Sequence, residues 1–421
     1  MPSDAKPNLT PKLRFPEFRK AKGWTEEELR IIADPVSERA DNEDANNILT
    51  LSGEHGLVLQ SEYFGKQIAG TNADRYLKVQ RDDFVYNDRV TKASAYGTIK
   101  RLTKHPHGIV SPIYKCFRFK NGEQPAFWEW YFEAGAHESE LRGLANEGAR
   151  AGRFNVSIER FLSTSVQVPD PGEQQKIAEC LSTLDELIGA ESQKLDALQA
   201  HKKGLMQQLF PRAGETLPRL RFPEFQDEPE WEEKSVGDFG EVVTGSTPST
   251  ARPEFYGGGI PFVSPADISD LRFVDETKTT LTALGFDETR PIRANSVLFV
   301  CIGSTIGKVA QNRRECATNQ QINSVVPNAE HSGAFVYYAL VKDAERIAEL
   351  AGIQAVPIVN KTLFSSVTLP VPKLPEQQRI ASCLSSLDDL IAAQSAKVEA
   401  LKTHKRGLMQ QLFPSPLEAE A

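Results

Sequence analysis

Residues Glu173–Pro211 read EQQKIAECLSTLDELIGAESQKLDALQAHKKGLMQQLFP, and 203 positions later Glu376–Pro414 read EQQRIASCLSSLDDLIAAQSAKVEALKTHKRGLMQQLFP. Of these 39 aligned positions 27 are identical, and most exchanges keep the chemistry, as in Lys176/Arg379 and Glu186/Asp389. Self-similarity of this kind means that one structural plan is built twice. In the first copy Ile177, Leu181, Leu184, Ile188, Leu195, Leu198, Leu205 and Leu209 follow alternating four- and three-residue steps, interrupted only at Glu191 and Lys202. In the second, Ile380, Leu384, Leu387, Ile391, Val398, Leu401, Leu408 and Leu412 do the same, interrupted at Gln394 and Lys405. Steps averaging 3.5 keep one apolar seam on one face of a helix, as a coiled coil requires. Pro171 and Pro375 precede the runs, where a missing amide costs little, and Pro211 and Pro414 stop them. The pattern predicts two rods of roughly 55 Å, at ~1.5 Å per residue. The competing reading is two core helices of an ordinary domain. The recurrence of the same seam defects in both copies argues against it.

A second repeat frames the first. PKLRFPEF at Pro11–Phe18 returns as PRLRFPEF at Pro218–Phe225, and Trp24 returns as Trp231. Each half thus opens with a short Pro-rich segment, passes through a globular region and closes with a long helix. The reading divides the 421 residues into an opening segment 1–24, a globular domain 25–170, a helix 171–211 and a linker with the repeated opening segment 212–231. A second globular domain 232–372, a helix 373–414 and a tail 415–421 follow.

Hydrophobic residues at 40% and charged residues at 25% are ordinary for a globular protein. No run approaches the ~18 apolar residues of a membrane span, and the N-terminus has no apolar stretch like a signal peptide. The five cysteines are scattered with no CxxC pair, which predicts reduced thiols in a cytoplasmic protein. The net charge of −8 hides basic islands. Phe64–Gly122 carries twelve Lys or Arg against four Asp, and Arg290–Pro327 carries five against one Glu. Such islands suit a local phosphate-binding surface, or a solvated basic face without a ligand.

In the first globular region Ile48–Leu59, Phe84–Arg89 and Gly108–Phe119 read as strands, Phe127–Ala134 as a helix, and Ala145–Ser157 as a Gly- and Arg-bearing loop. The second contains TGSTPS (Thr244–Ser249), FYGGGIPFVSPADI (Phe255–Ile268), SVLFVCIGSTIGKVA (Ser296–Ala310) and CATNQQINSVVP (Cys316–Pro327), with a helix at Gly333–Val341. It aligns poorly with the first region. A fixed frame carrying two divergent α/β inserts is the natural description.

Motifs for catalysis are missing. Gly303–Lys308 has three residues between its glycines where a phosphate loop has four, and Val309 stands where Ser or Thr would bind magnesium. Gly257–Gly259 reads as a tight turn. No Asn-Pro-Pro-aromatic or Asp-Pro-Pro-aromatic segment encodes an amino-methyltransferase pocket. His105 and His107 lack a Cys or His cluster to complete a metal site, so no metal is expected.

The paired PxEQQxIAxxLSxLDxLI…HKxGLMQQLFP helices, the doubled LRFPEF segment and TNQQIN together resemble the specificity subunit (HsdS) of type I restriction–modification systems, over nearly the whole chain. The resemblance implies a mixed α/β fold of two target recognition domains joined by two long antiparallel coiled-coil helices, a pseudo-two-fold internal repeat. It implies a non-catalytic subunit that reads a bipartite, asymmetric target in double-stranded DNA. Two methyltransferase subunits and the restriction (motor-nuclease) subunits would be its partners. S-adenosylmethionine, ATP and magnesium are expected on those partners and no cofactor in this chain.

For DNA contact, Arg89, Lys92, Lys100, Arg101, Lys104 and His105 are phosphate candidates, as are Arg150 and Arg153, and in the second domain Lys308, Arg313 and Arg314. Asn319, Gln320, Gln321 and Asn323 carry amides suited to adenine edges in the major groove, or to turn and strand-end hydrogen bonding inside the domain. The sixteen seam residues named above would form the helix-pair interface. Two other classes remain open: the recognition region of a catalytic methyltransferase-nuclease, and a coiled-coil scaffold that reads no sequence.

Overall fold

The computed structural model describes residues 9–40, 47–65, 75–91, 94–145, 156–352 and 357–414. The heptad-like runs fold as continuous helices of 39 residues each, Pro171–Leu209 and Leu374–Leu412. Proline at the first or second helical position costs no hydrogen bond. The chain divides into two compact units, residues 1–190 with 399–421, and residues 191–398. Each unit therefore combines one globular insert with the start of one long helix and the end of the other.

In the first unit two four-stranded sheets carry the fold. One orders Ala33–Pro35, Lys115–Phe119, Phe84–Asn87 and Thr98–Arg101, all antiparallel. The other orders Gly56–Leu59, Ile48–Ser52, His107–Val110 and Leu77–Gln80, with its central pair parallel. The expected Ile48–Leu59 strand is thus a hairpin, because Gly56 takes φ +73 and reverses the chain. Gly108–Phe119 likewise contains parts of two strands. The aromatic helix Pro125–Glu133 buries Phe127, Trp128, Trp130, Tyr131 and Phe132.

The second unit has a five-stranded sheet ordered Gly240–Thr244, Ile322–Pro327, Val297–Val300, Val309–Asn312 and Phe273–Val274. A three-stranded sheet orders Thr279–Leu281, Tyr256–Val263 and Ala317–Thr318. Gly257–Gly259 is not the expected tight turn: it lies within the strand Tyr256–Val263, at a bulge between Tyr256 and Ile260. Glycine is needed there because a Cβ on Gly258 would fall 2.3 Å from the Leu281 carbonyl oxygen. Gly303–Lys308 connects two antiparallel strands, not a strand to a helix, so it lacks the helix N-terminus of a phosphate loop.

Beneath the divergent sheets the same frame occurs twice. A two-stranded ribbon pairs Thr25–Glu28 with Ser165–Val168 in one unit, and Glu232–Ser235 with Thr368–Val371 in the other. Each ribbon ties the residues after the opening segment to the strand that leads into the long helix. Beside it sits an aromatic trio. Trp24, Phe127 and Phe413 have ring centroids 5.7–6.3 Å apart, and Phe210, Trp231 and Phe335 have theirs 5.4–6.0 Å apart. The helices Pro125–Glu133 and Gly333–Lys342 are therefore equivalent, although their sequences have drifted.

Candidate nucleic-acid interface

The repeated motif residues act as clamps that hold each insert. Arg14 donates through Nε and Nη2 to both oxygens of Glu173, at 2.7 and 2.6 Å, while Arg221 does the same to Glu376 at 2.9 and 2.8 Å. Each guanidinium also donates to two nearby carbonyls, of Ala21 and Lys22 or of Glu228 and Pro229. The bidentate carboxylate holds the Arg14 guanidinium above its ordinary pKa. The following glutamine satisfies a helix start: Gln174 Oε1 accepts from the Gln124 amide, and Gln377 Oε1 from the Ser332 amide. Further along the helices Ser182 accepts from Trp130 Nε1 at 3.1 Å, and Ser385 accepts from the Tyr338 hydroxyl at 3.4 Å.

The seam defects are polar partnerships. Lys202 Nζ lies 2.5 Å from Asp388, and Lys405 pairs with Asp185. Gln394 donates to the backbone oxygen of Glu191 at 2.8 Å and to its carboxylate at 2.6 Å, and Lys397 reaches the other carboxylate oxygen at 2.5 Å. These pairings run in opposite directions along the two helices, so the helices are antiparallel where they meet. Not all seam residues serve the helix pair. Ile177, Leu181, Leu408 and Leu412 pack in the first insert's core, and Leu205, Leu209, Ile380 and Leu384 in the second's. Ile188 and Val398 are buried, and Leu184, Leu195, Leu198, Leu387, Ile391 and Leu401 are half-buried.

Two separated stretches of the second insert meet at one tip. The Gly245 and Ser246 amides donate to the Ile322 and Thr318 carbonyls, clamping Thr244–Ser249 against the turn at Asn319–Gln321. A Cβ on Gly245 would fall 2.2 Å from the Asn319 carbonyl oxygen, so only glycine allows this approach. Thr247 Oγ1 donates to Gln320 Oε1 at 2.7 Å. Asn319 Nδ2 donates to Gln321 Oε1 at 3.0 Å, and Asn319 Oδ1 accepts from the Gln321 amide at 3.1 Å. Gln320 is exposed, while Asn319 and Gln321 are half-buried. Asn323 sits differently. It is 3% exposed, accepts from Thr244 Oγ1 at 2.7 Å and donates to Cys301 Sγ at 3.1 Å. Its amide is spent inside the sheet and is not offered to a ligand. Burial pushes the Cys301 and Cys316 thiols up to about 12, so both stay protonated.

The cations divide the same way. Lys100 pairs with Glu133 at 2.6 Å, and Arg101 bridges Asp82 at 2.9 Å and Glu129 at 2.7 Å. Burial raises the Glu129 carboxyl, with Arg101 pulling it back. Much of the first basic island is therefore neutralised within its own domain. Arg89 and Lys104 are exposed, Lys104 donating to the His55 carbonyl, and His105 is half-buried. Lys308 and Arg314 are exposed and donate to the Ile268 and Gly259 carbonyls. Arg313 lies 3.2 Å from Asp275 and over the Phe273 ring at 3.7 Å. Lys92, Arg150, Arg153 and most of the loop at Ala145–Ser157 lie outside the described residues. Arg290 donates to the Thr244 carbonyl at 2.8 Å beside the tip. Sequence reasoning missed it as an individual candidate, its only signal being membership of the second basic island. Among the described residues no group of three or more His, Cys, Asp or Glu could hold a metal ion, and no helix is long and apolar enough to cross a membrane.

The family model for the type I restriction modification DNA specificity domain matches residues 109–200 and 228–403, well over half of the chain. The HindI type I restriction enzyme specificity subunit of Haemophilus influenzae is 26% identical over 289 residues, 53% of this chain and 63% of that protein. The MjaIX specificity subunit of Methanocaldococcus jannaschii is 30% identical over 179 residues, 41% of each chain. The matches thus span less than two thirds of either relative's length. A solved S subunit of a type I restriction-modification system from M. genitalium shares the fold with a TM-score of 0.61 at 14% identity, over 97% of this chain and 100% of that one.

Proposed function

Because the chain belongs to the type I restriction–modification DNA specificity family, we propose that it is the non-catalytic subunit that reads DNA sequence for a methylating and restricting complex. Each globular insert reads one half of a bipartite, asymmetric target, and the helix pair sets the spacer between the halves. Two methyltransferase subunits and the restriction (motor-nuclease) subunits supply adenine methylation and cleavage, with S-adenosylmethionine, ATP and magnesium on those subunits. The complex works in the cytoplasm, where its DNA is.

One observation carries this reading. The same clamps (Arg14–Glu173 and Arg221–Glu376) occur in both units, while the sheets they hold differ in strand number and order. A frame that stays constant while its inserts diverge is what independent readers of two different half-sites require. Phosphate contact falls to the exposed cations Arg89, Lys104, Lys308 and Arg314, which fix register without reading bases. Base contact in the second domain falls to the tip at Asn319–Gln321. The paired Lys100 and Arg101 and the buried Asn323 serve the inserts themselves.

The test is an exchange of residues 232–372 for the corresponding domain of another specificity subunit, followed by mapping of methylated sites in cells that also carry the methyltransferase. One half of the motif should change while the other half and the spacer stay. A motif that changes in both halves, or in neither, contradicts the assignment of one reader per insert.

A further inference from the structure

The tip of the second insert points to a more specific reading, which rests on the DNA-recognition role proposed above. A planar amide offers an acceptor at one end and two donors at the other. At Gln320 the acceptor end is held: Thr247 Oγ1, from the neighbouring loop, donates to Oε1 at 2.7 Å. At Gln321 it is held again, by Asn319 Nδ2 at 3.0 Å. Asn319 in turn spends its own oxygen on the Gln321 backbone amide. Neither glutamine Nε2 has a hydrogen-bond partner among the described residues. Pinning the oxygen turns the nitrogen of each amide away from its neighbour: exposed Gln320 presents its donor, while half-buried Gln321 holds Nε2 beside Gly303.

The surroundings are built to keep this arrangement. Gly245 brings the Thr247 loop against the turn where any larger residue would clash with the Asn319 and Thr318 carbonyl oxygens. On the other side Gly303 takes φ +95, which favours glycine, and Gln321 Nε2 lies beside it, 3.6 Å from where a Cβ would stand. The Gln321 carbonyl accepts from the Cys301 amide at 2.8 Å and anchors the turn to the sheet. Thr247, outside the turn itself, thereby acts as a positioning residue that decides which face of Gln320 is presented.

We infer that the Asn319–Gln321 turn is a donor head that selects bases presenting acceptors in the major groove, guanine first, and that Thr247 sets this choice. Guanine offers O6 and N7 as neighbouring acceptors, whereas cytosine offers an amino donor and adenine pairs one acceptor with one donor. This replaces the bidentate adenine contact expected from the amide composition, because the hydrogen bonds from Thr247 and Asn319 draw each amide oxygen inward, away from the edge a base would meet.

The experiment uses the complex of this chain with its methyltransferase subunit and a DNA pool with randomised bases in both half-sites. The selected motif of the unsubstituted complex should contain guanine at a position in the second half-site. Replacing that guanine by 7-deazaguanine should weaken binding, on the order of tenfold. Gln320→Glu, which turns the head from donor to acceptor on an exposed side chain, should shift that single position toward bases with an amino group. Thr247→Val should relax the position between guanine and adenine, and Thr247→Ser, which keeps the hydroxyl, should retain the parent motif. An unchanged motif in Gln320→Glu would overturn the inference, and so would equal weakening on all sequences, which would assign Gln320 to a phosphate. A wild-type complex that binds DNA with no motif at all removes the recognition role itself, a failure distinct from either of these.

Discussion

Lys202 Nζ lies 2.5 Å from Asp388, and one repeat along the chain Lys405 pairs with Asp185 in the same way. The Lys in each HK dipeptide and the Asp that closes each LSxLD segment thus belong to opposite copies of the motif. Tyr338 adds its hydroxyl to Asp388 at 2.5 Å, while Lys405 lies 4.2 Å from the centre of the Trp130 ring. Each pair therefore ties the two helices to the aromatic helix of the insert beside it. Reversing one charge, as in Asp388→Lys, leaves two ammonium groups facing each other in a partly buried site and should cost about 1–3 kcal/mol. Combining Asp388→Lys with Lys202→Asp should recover much of that loss in urea denaturation. A double variant no more stable than the singles would refute the pairing.

The buried clamp is the more sensitive site. Glu173 is almost fully buried, and Arg14 neutralises it with two hydrogen bonds. Arg14→Ala strands that carboxylate and should destabilise the first unit by roughly 3–5 kcal/mol. Replacing Arg14 and Glu173 together by apolar residues of similar volume should cost much less. Denaturant midpoints followed by tryptophan fluorescence check both, since Trp24 lies in this core.

Histidine burial gives the first insert an acid limit. His137 is buried edge-on to Phe132 at 5.1 Å, and desolvation holds its pKa down to about 3. The neutral ring is the folded form, so His137 costs nothing above the unfolded value of ~6.5. Below that, the unfolded chain binds the proton first, and stability falls by about 1.4 kcal/mol per pH unit until the folded group titrates near 3. His137→Leu should remove this slope. Denaturation midpoints of wild type and variant should diverge between about pH 7 and about pH 4, and parallel curves would contradict the assignment.

The helices should encode spacing. One additional turn of four residues lengthens a helix by ~6 Å, close to two base pairs at ~3.4 Å each. Inserting one turn in both long helices should lengthen the methylated motif's spacer by about two base pairs and leave both half-sites as they were. An unchanged spacer would sink the ruler.

What the sequence reveals by itself depends on how far apart the interacting partners lie along the chain. The long helices and the repeated opening segments announce themselves, because periodicity and identity are local properties. The clamps do not, since Arg14 and Glu173 are 159 positions apart and nothing in either stretch names the other. The aromatic trio is hidden because Pro125–Glu133 and Gly333–Lys342 keep only a shared Ala-Phe start and aromatic character. The neutralisation of Lys100 and Arg101 within the first basic island is hidden for a similar reason. Glu129 and Glu133, which neutralise Arg101 and Lys100, sit on the helix just beyond the Gly122 boundary of the island. TGSTPS and TNQQIN each read as polar loop material. Only the fold shows that Gly245 brings them together, and that Asn323 belongs to the sheet while Gln320 remains outside.

The measurement that tests the central claim most directly is single-molecule sequencing of DNA from cells expressing this chain with its methyltransferase subunit. The account predicts methylated adenines confined to one split, asymmetric motif with a fixed spacer, present only when both genes are expressed. Methylation without a bipartite motif, or a stable complex of the two proteins that leaves the DNA unmethylated, would contradict it.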